Sequence, residues 1–344
     1  MSSEGHVRDR DEQAPPVPPI RSLLYPGERW RFWLATAASV VFLALILFFL
    51  LRRGVPTLIG GVVFLVLTVG SVWWGLQIFR ARLLGNSVKV TPASFPDLQE
   101  VLDGIRAQLG YEGRVDVYVA DKSEPSVKLT TYLGTRVILI EGGLVAELLE
   151  PSKQPQLRFL IARHIGALKA RQNRLEPLLV MLQAADALQF VKIFLLPYYR
   201  SIAYSGDQIG LACCGSVEAA LEATGRLLVG KELADDLPLG GVLPQGALVK
   251  ERLLPRFAQF LSATPHVINR YLNLLMCGRL TDPAAWERFA ASLAAGERFE
   301  LDQLWRSSPH RRRARGQAGG LAHMLVGPPA LNFPPPQPDQ SPTN

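Results

Sequence analysis

The chain is built around Gln156-Leu-Arg-Phe-Leu-Ile-Ala-Arg-His-Ile-Gly-Ala-Leu-Lys-Ala-Arg171. This stretch predicts a helix, on which residues four positions apart share one face. Two histidines at that spacing bind zinc in metal-dependent hydrolases, and a glutamate beside the first histidine acts as the general base. Here Arg163, His164 and Ala167 stand at the first-ligand, base and second-ligand positions. The stretch therefore has the spacing of a zinc-binding helix but lacks the side chains that bind zinc and the glutamate that acts as the base.

The composition favours a globular domain that carries some membrane-embedded sequence. The 344 residues are 48% hydrophobic and 19% charged, and this length is enough for one domain with its own core plus appendages. The basic residues behind the net charge of +7 are scattered or lie beside apolar segments. We therefore expect anionic lipid head groups, and no nucleic acid, as their partners. Three cysteines, two of them adjacent, form no disulfide framework and favour a reducing compartment.

Two long uncharged runs near the N-terminus predict a transmembrane helical hairpin at residues 32–80. The first run ends at Leu51 and the second begins at Val55, and each reaches the ~20 residues that span a bilayer. The short connection makes the two helices antiparallel. The alternative is a buried helical hairpin of a soluble domain. Residues 1–31, charged and then proline-rich, are predicted to be a disordered tail.

The arginines that flank the hairpin predict its orientation. The outer flanks carry Arg21, Arg29, Arg31, Arg80 and Arg82. The turn carries only Arg52 and Arg53. Because cytoplasmic flanks are enriched in Lys and Arg, both termini and the main domain are expected in the cytoplasm, although the two turn arginines oppose this orientation.

Residues 85–316 are predicted to form one mixed domain, mostly α-helical, followed by a disordered proline-rich tail at 327–344. The strand-like runs are 114–120, 127–133 and 136–140. The predicted helices, besides the central one, are 96–109, 144–149, 216–228, 247–262, 265–277 and 283–295. Residues 178–196 are strongly apolar, but a charge such as Asp186 or Lys192 costs about 3 kcal/mol at mid-bilayer. A core or membrane-surface helix is therefore preferred there over a third span.

Taken in order, these segments resemble the HtpX-type membrane zinc metallopeptidases, relatives of the CAAX prenyl proteases. The resemblance covers about residues 85–315 and includes Gly134-Thr-Arg-Val-Ile-Leu-Ile-Glu-Gly-Gly-Leu144 before the central helix. Further on, Tyr204-Ser-Gly-Asp-Gln-Ile-Gly-Leu-Ala-Cys-Cys-Gly215 is similar to the family's Glu-x-x-x-Asp segment. Ser307-Ser-Pro-His310 is similar to a late Ser/Thr-His-Pro element with His and Pro exchanged. The resemblance implies an α+β, mostly α, zincin-like (gluzincin-type) domain in a bacterial inner membrane.

The resemblance also implies where the zinc site would lie. Arg163 replaces the first ligand and only donates hydrogen bonds, so it cannot bind a metal. His164 replaces the general base, Ala167 the second ligand, and Ala203 the third ligand, which is a glutamate in the family. Only Asp207, a position beside the metal ligands, matches. We therefore expect no zinc or other cofactor, and an Arg163–Asp207 ion pair in place of the metal.

These replacements predict a catalytically inactive homologue that acts by binding. It would be a scaffold or regulatory subunit of a membrane protein complex, or would hold a peptide along the edge strand at 126–133 by strand addition. One alternative is a hydrolase with a site rebuilt from His164, Asp207 and Ser201, Ser205 or Cys213. Another is an active membrane metalloendopeptidase with atypical ligands, working in membrane protein quality control.

Two smaller features also receive an interpretation from the sequence. The adjacent Cys213 and Cys214 are interpreted as ordinary buried residues, the alternative being an irregular metal site with His164. The arginines at 311–315 form either a solvated face or a contact with lipid head groups.

Overall fold

The computed structural model describes residues 17–121, 127–132, 135–175, 189–238, 240–311 and 314. These residues are mostly helical and include one small mixed sheet. The predicted tail at 327–344, residues 1–16 of the N-terminal tail, the arginines after Arg311 and residues 178–188 of the long apolar segment lie outside them.

Two long helices form the predicted hairpin. A short helix α1 (Ile20–Leu23) precedes α2 (Glu28–Arg52) and α3 (Val55–Asn86). Both α2 and α3 are long and apolar enough to cross a membrane, judged by length and composition. Most of their large apolar side chains are exposed, unlike those of a core hairpin. The pair is therefore compatible with a membrane anchor.

Residues 17–31, assigned from the sequence to a disordered tail, instead pack against the folded domain. Leu23 is buried, and Glu28 is only 6% exposed. The Glu28 carboxylate accepts hydrogen bonds from Gln172 Nε2 at 2.8 and 2.9 Å and from the Ser205 hydroxyl. The Tyr25 N–H donates to Ser205 Oγ at 2.7 Å. The prediction failed because these polar residues find partners more than a hundred positions away, which no local pattern reveals.

The sheet contains four short strands in the order β1-β2-β4-β3. The strands are β1 (Ser87–Lys89), β2 (Asp116–Ala120), β3 (Val127–Tyr132) and β4 (Thr135–Glu141). The pair β2–β4 is parallel, whereas β1–β2 and β3–β4 are antiparallel. Helix α4 (Pro96–Leu109) precedes β2 and α5 (Gly142–Leu148) follows β4. Strand β3 is thus an edge strand, as is β1.

The central helix α6 (Gln154–Lys169) packs along α7 (Gln189–Cys214). Glycines allow the two backbones to come unusually close. A Cβ atom at Gly210 would lie 2.8 Å from the Phe159 carbonyl oxygen, and one at Gly166 would collide with Ile209. The earlier half of α7 reaches the hairpin, where Leu195 and Tyr198 bury Ala35 of α2. Helix α7 therefore connects the membrane end of the chain with its core.

Seven further helices complete the described chain. They are α8 (Val217–Val229), α9 (Lys231–Ala234), α10 (Leu243–Glu251), α11 (Leu253–Leu261), α12 (Val267–Thr281), α13 (Pro283–Ser292) and α14 (Ala295–Ser307). The single helix predicted at 247–262 is split, because Pro255 lacks an N–H and its ring clashes with the carbonyl of Glu251. Helix α14 was not predicted, since only Leu301 and Leu304 of it are buried and the apolar spacing is sparse.

We expect Gly210→Ala to lower the free energy of unfolding by about 1–3 kcal/mol, because the added methyl group would force α6 and α7 apart. Thermal unfolding in detergent, followed by circular dichroism, measures this change. Gly104→Ala in α4 is the matched control, since only the flexible end of Arg158 approaches a Cβ there, at 3.4 Å. Equal melting temperatures for the two variants would contradict the close packing of α6 and α7.

Candidate functional site

A buried carboxylate between two arginines lies where the sequence resemblance places a metal site. Asp207 of α7 is fully buried. Arg270 of α12 donates from Nε to Oδ2 and from Nη2 to Oδ1, each at 2.8 Å. Arg163 of α6 places its Nε 3.6 Å from Asp207 Oδ1. This Arg–Asp–Arg cluster joins three helices through one side chain from each.

The cluster is strongly charged despite its burial. Burial first, and then the nearby positive charge of Arg270, lower the pKa of Arg163 to about 10, which leaves it protonated at neutral pH. For Arg270, burial opposes the charge, but the charge and hydrogen bonds of Asp207 outweigh burial and raise its pKa. One negative and two positive charges therefore share a poorly solvated site, and removing the carboxylate would leave two buried cations unpaired.

The Arg163–Asp207 pair predicted from the sequence is present, but it is the weaker half of the cluster. The bidentate partner Arg270 was missed. It follows Asp207 by 63 positions, and no motif marks it. The one available signal is a buried arginine in a helix whose neighbours Tyr271, Leu272 and Leu274 are core residues, because such an arginine requires a counterion.

His164 links α6 to the edge strand β3. Its ring forms a hydrogen bond with the backbone of Val127, and its buried Nε2 has no hydrogen-bond partner within the described residues. Burial, followed by the charges of Arg163 and Arg270, lowers the pKa of His164 well below its ordinary value. The imidazole is therefore neutral at neutral pH. Both carboxylate oxygens of Asp207 accept from Arg270, so Asp207 does not orient His164 as it would in a catalytic pair.

The residues at the positions that the resemblance assigns to zinc ligands do not fit a zinc ion. Ala167 and Ala203 offer methyl groups, and Arg163 presents a charged guanidinium. In the described ranges, no group of three or more His, Cys, Asp or Glu side chains is placed to hold a metal ion. The hydrogen-bond donors and methyl groups found there supply no electron pairs to a metal.

The candidate nucleophiles for a rebuilt hydrolase all have structural partners. Ser201 donates to the Tyr198 carbonyl oxygen at 2.7 Å, and Ser205 donates to the Glu28 carboxylate. Cys213 is buried, and burial raises the pKa of its thiol to about 12, which disfavours the reactive thiolate. Across the described part of the chain, no hydrogen bond joins any of these three to His164.

The late Ser-Pro-His element (Ser308 to His310) packs against α12 about one helical turn beyond Arg270 of the Arg–Asp–Arg cluster. His310 is 1% exposed, and its Nε2 lies 2.9 Å from Oδ1 of Asn273, three positions after Arg270. The Tyr25 ring meets the His310 ring edge-on and stacks on Tyr204 at 4.8 Å. These residues border a cavity of about 590 Å³ lined by Tyr25, Tyr204, Asn273, Ser308 and Pro309, among others. The N-terminal segment, α7, α12 and the C-terminal segment thus converge beside the cluster.

We expect Asp207→Ala to destabilise the fold by about 3–5 kcal/mol, because it leaves two buried cations without a counterion. Thermal unfolding in detergent measures the loss. The control is Lys89→Ala, which breaks the exposed Lys89–Asp116 pair of 2.7 Å and should cost no more than about 1 kcal/mol. If both variants lost a similarly small amount of unfolding free energy, the Arg–Asp–Arg cluster would not be needed for the stability of the fold.

His164 should make the stability fall in mild acid. The unfolded chain takes up a proton at His164 near pH 6.5, whereas the folded chain does not, so stability is complete above this pH and decreases below it. Relative to His164→Asn, the native protein should lose up to about 1.4 kcal/mol per pH unit below that point. Melting temperatures of both proteins across this range test the difference. Parallel curves would contradict a buried neutral imidazole.

No protein-family model matches this chain, and the searches of curated proteins and of solved structures found no match either. The likeness to HtpX-type peptidases therefore rests on the quoted motifs alone. What the site can do has to be argued from its own residues: an ionic cluster joining three helices, and an edge strand held to α6 by His164.

Proposed function

We propose that this chain is a membrane-anchored, non-catalytic relative of HtpX-type zinc peptidases that acts as a scaffold or regulatory subunit of a membrane protein complex. The observation that carries the proposal is the Arg–Asp–Arg cluster. It supplies by ionic contacts the connection between helices that a metal would otherwise make.

The charge of the cluster argues against an occupied metal site. A dication about 4 Å from Arg163 would be repelled by roughly 8 kcal/mol at an effective dielectric constant near 20. Arg270 adds a second cation, and the single carboxylate of Asp207 is already saturated by guanidinium contacts. A metal would therefore have to displace both arginines before it gained a ligand.

The membrane part of the proposal rests on the hairpin. Helices α2 and α3 expose apolar side chains along their lengths, as lipid-facing helices do. The outer arginine flanks favour a cytoplasmic main domain and cytoplasmic termini. We place the protein in a bacterial inner membrane, on the strength of the family resemblance.

The binding surface that we propose is the free edge of β3. Among the described strands, β3 pairs only with β4 and lies at the end of the sheet. His164 holds Val127, the first residue of β3, against α6. Lys128 beside it is exposed. An extended segment of a partner protein can pair with such an edge through main-chain hydrogen bonds, with no catalytic group needed.

A photo-reactive amino acid in place of Lys128 should capture the partner in living cells. We expect a cross-linked product that contains a second membrane-associated protein, identified by mass spectrometry after purification in mild detergent. The same substitution at Glu287, an exposed residue of α13, is the control and should give no such product.

Two results would overturn the proposal. One is cross-linking at Glu287 that equals cross-linking at Lys128, since this would show no preference for the β3 edge. The other is covalent labelling of Ser201, Ser205 or Cys213 by an electrophilic hydrolase probe, because this would identify an active nucleophile.

A further inference from the structure

The structure contains a second, larger cavity at the membrane end of the molecule, separate from the Arg–Asp–Arg cluster. Its volume is about 1030 Å³. It lies between the N-terminal segment, the first turns of α2, the end of α4 and the chain that follows α6. Phe32 and Trp33 of α2 form part of its wall. These residues begin the apolar run of the first membrane-compatible helix, so the cavity opens at the level where that helix would enter the bilayer.

The lining of the cavity is strongly basic. Five basic side chains line it: Arg21, Arg29, Lys169, Arg171 and Arg174. The one acidic residue in the wall, Glu28, is occupied by hydrogen bonds from Gln172 and Ser205. The ends of α4 and α6 contribute about half a negative charge each. Even with Glu28 counted as ionised, the positive charges outnumber the negative ones.

Four of these basic groups form no close ion pair within the described residues. Lys169 donates to the Gly110 carbonyl oxygen. By contrast, in the part of the chain that the structure describes, no carboxylate lies within ion-pair distance of Arg21, Arg29, Arg171 or Arg174. Several guanidinium groups around one cavity, outnumbering the single carboxylate of Glu28 in its wall, match the oxygens of a phosphate group.

The backbone at Arg171 is a second, independent indication. Arg171 has a φ of 55° and is the only residue other than glycine with a positive φ among those described. It lies just past the C-terminal end of α6, where glycine is the usual residue because it has no Cβ. A side chain kept in this conformation costs stability. The cost is explained if the guanidinium of Arg171 is needed in the cavity.

We propose that this cavity binds the phosphate head group of an anionic phospholipid, with its acyl chains running along Phe32, Trp33 and the lipid-facing side of α2. A phosphodiester supplies the missing negative charge, and the aromatic side chains suit the interfacial depth. The inference rests on the membrane anchoring in the proposed function, but it requires neither the β3 edge nor any partner protein. The bound lipid would fix residues 17–31 against α6.

Native mass spectrometry of the full chain in a non-ionic detergent tests this site with short-chain phosphatidylglycerol. We expect phosphatidylglycerol to be retained in preference to phosphatidylcholine. Arg171→Gln/Arg174→Gln should weaken the retention by about tenfold or more. Arg80→Gln/Arg82→Gln, which removes two arginines from the same end of the hairpin but outside this cavity, should leave it unchanged.

Arg171→Gly separates binding from folding. Because glycine suits the left-handed backbone, this variant should melt at the same temperature as the native protein or higher, while it retains less phosphatidylglycerol. Equal retention by Arg171→Gly, Arg171→Gln/Arg174→Gln and the native chain would overturn the inference. Equal retention of both lipids would do so too.

Soluble glycerol phosphate distinguishes a lipid from a free phosphate compound. If glycerol phosphate binds and phosphatidylglycerol does not, the lipid assignment is wrong. Carbonate extraction of membranes separates this inference from the proposed function. Loss of the chain from the membrane fraction overturns both proposals, whereas a chain that stays there without retaining phosphatidylglycerol overturns only this one.

Discussion

The architecture of this protein depends on one carboxylate buried between two guanidinium groups. Asp207 comes from α7, Arg163 from α6 and Arg270 from α12, so three helices distant in sequence meet at one charge cluster. A buried ion pair adds little net stability, but breaking it is costly, because the charge left behind has no solvent to stabilise it. Such a cluster therefore acts chiefly as a constraint: these helices pack together only in the arrangement that brings all three charges into contact.

The same constraint shapes the surface above the cluster. With Arg163 turned to Asp207, the neighbouring His164 is directed to the backbone of Val127, and the edge strand β3 is held over α6. Burial, reinforced by the charges of Arg163 and Arg270, lowers the pKa of His164 and keeps the imidazole neutral. Helix α6 therefore contacts a strand edge through His164 and presents no set of metal ligands in the described residues, and the proposed binding role builds on this contact.

The membrane end is organised by a different kind of interaction. Glu28, at the start of α2, is buried and accepts hydrogen bonds from Gln172 and Ser205. Ser205 is only two positions before Asp207, so α7 carries both polar centres within one helical turn. The hairpin and the charge cluster are thus coupled through one rigid helix. Any ligand that orders the N-terminal segment, such as the lipid proposed for the basic cavity, acts directly on this helix.

The sequence by itself determined the elements with strong local patterns: both hairpin helices, α4, strands β2, β3 and β4 and the central helix, since apolar runs and apolar periodicity are properties of neighbouring residues. It also predicted the contact between Arg163 and Asp207, through the family resemblance. The tertiary structure decided which arginine Asp207 binds most closely, the ordering of residues 17–31, and the cavity at the membrane end. Each of these depends on side chains brought together from distant positions, where partner, distance and burial are set by packing and not by spacing along the chain.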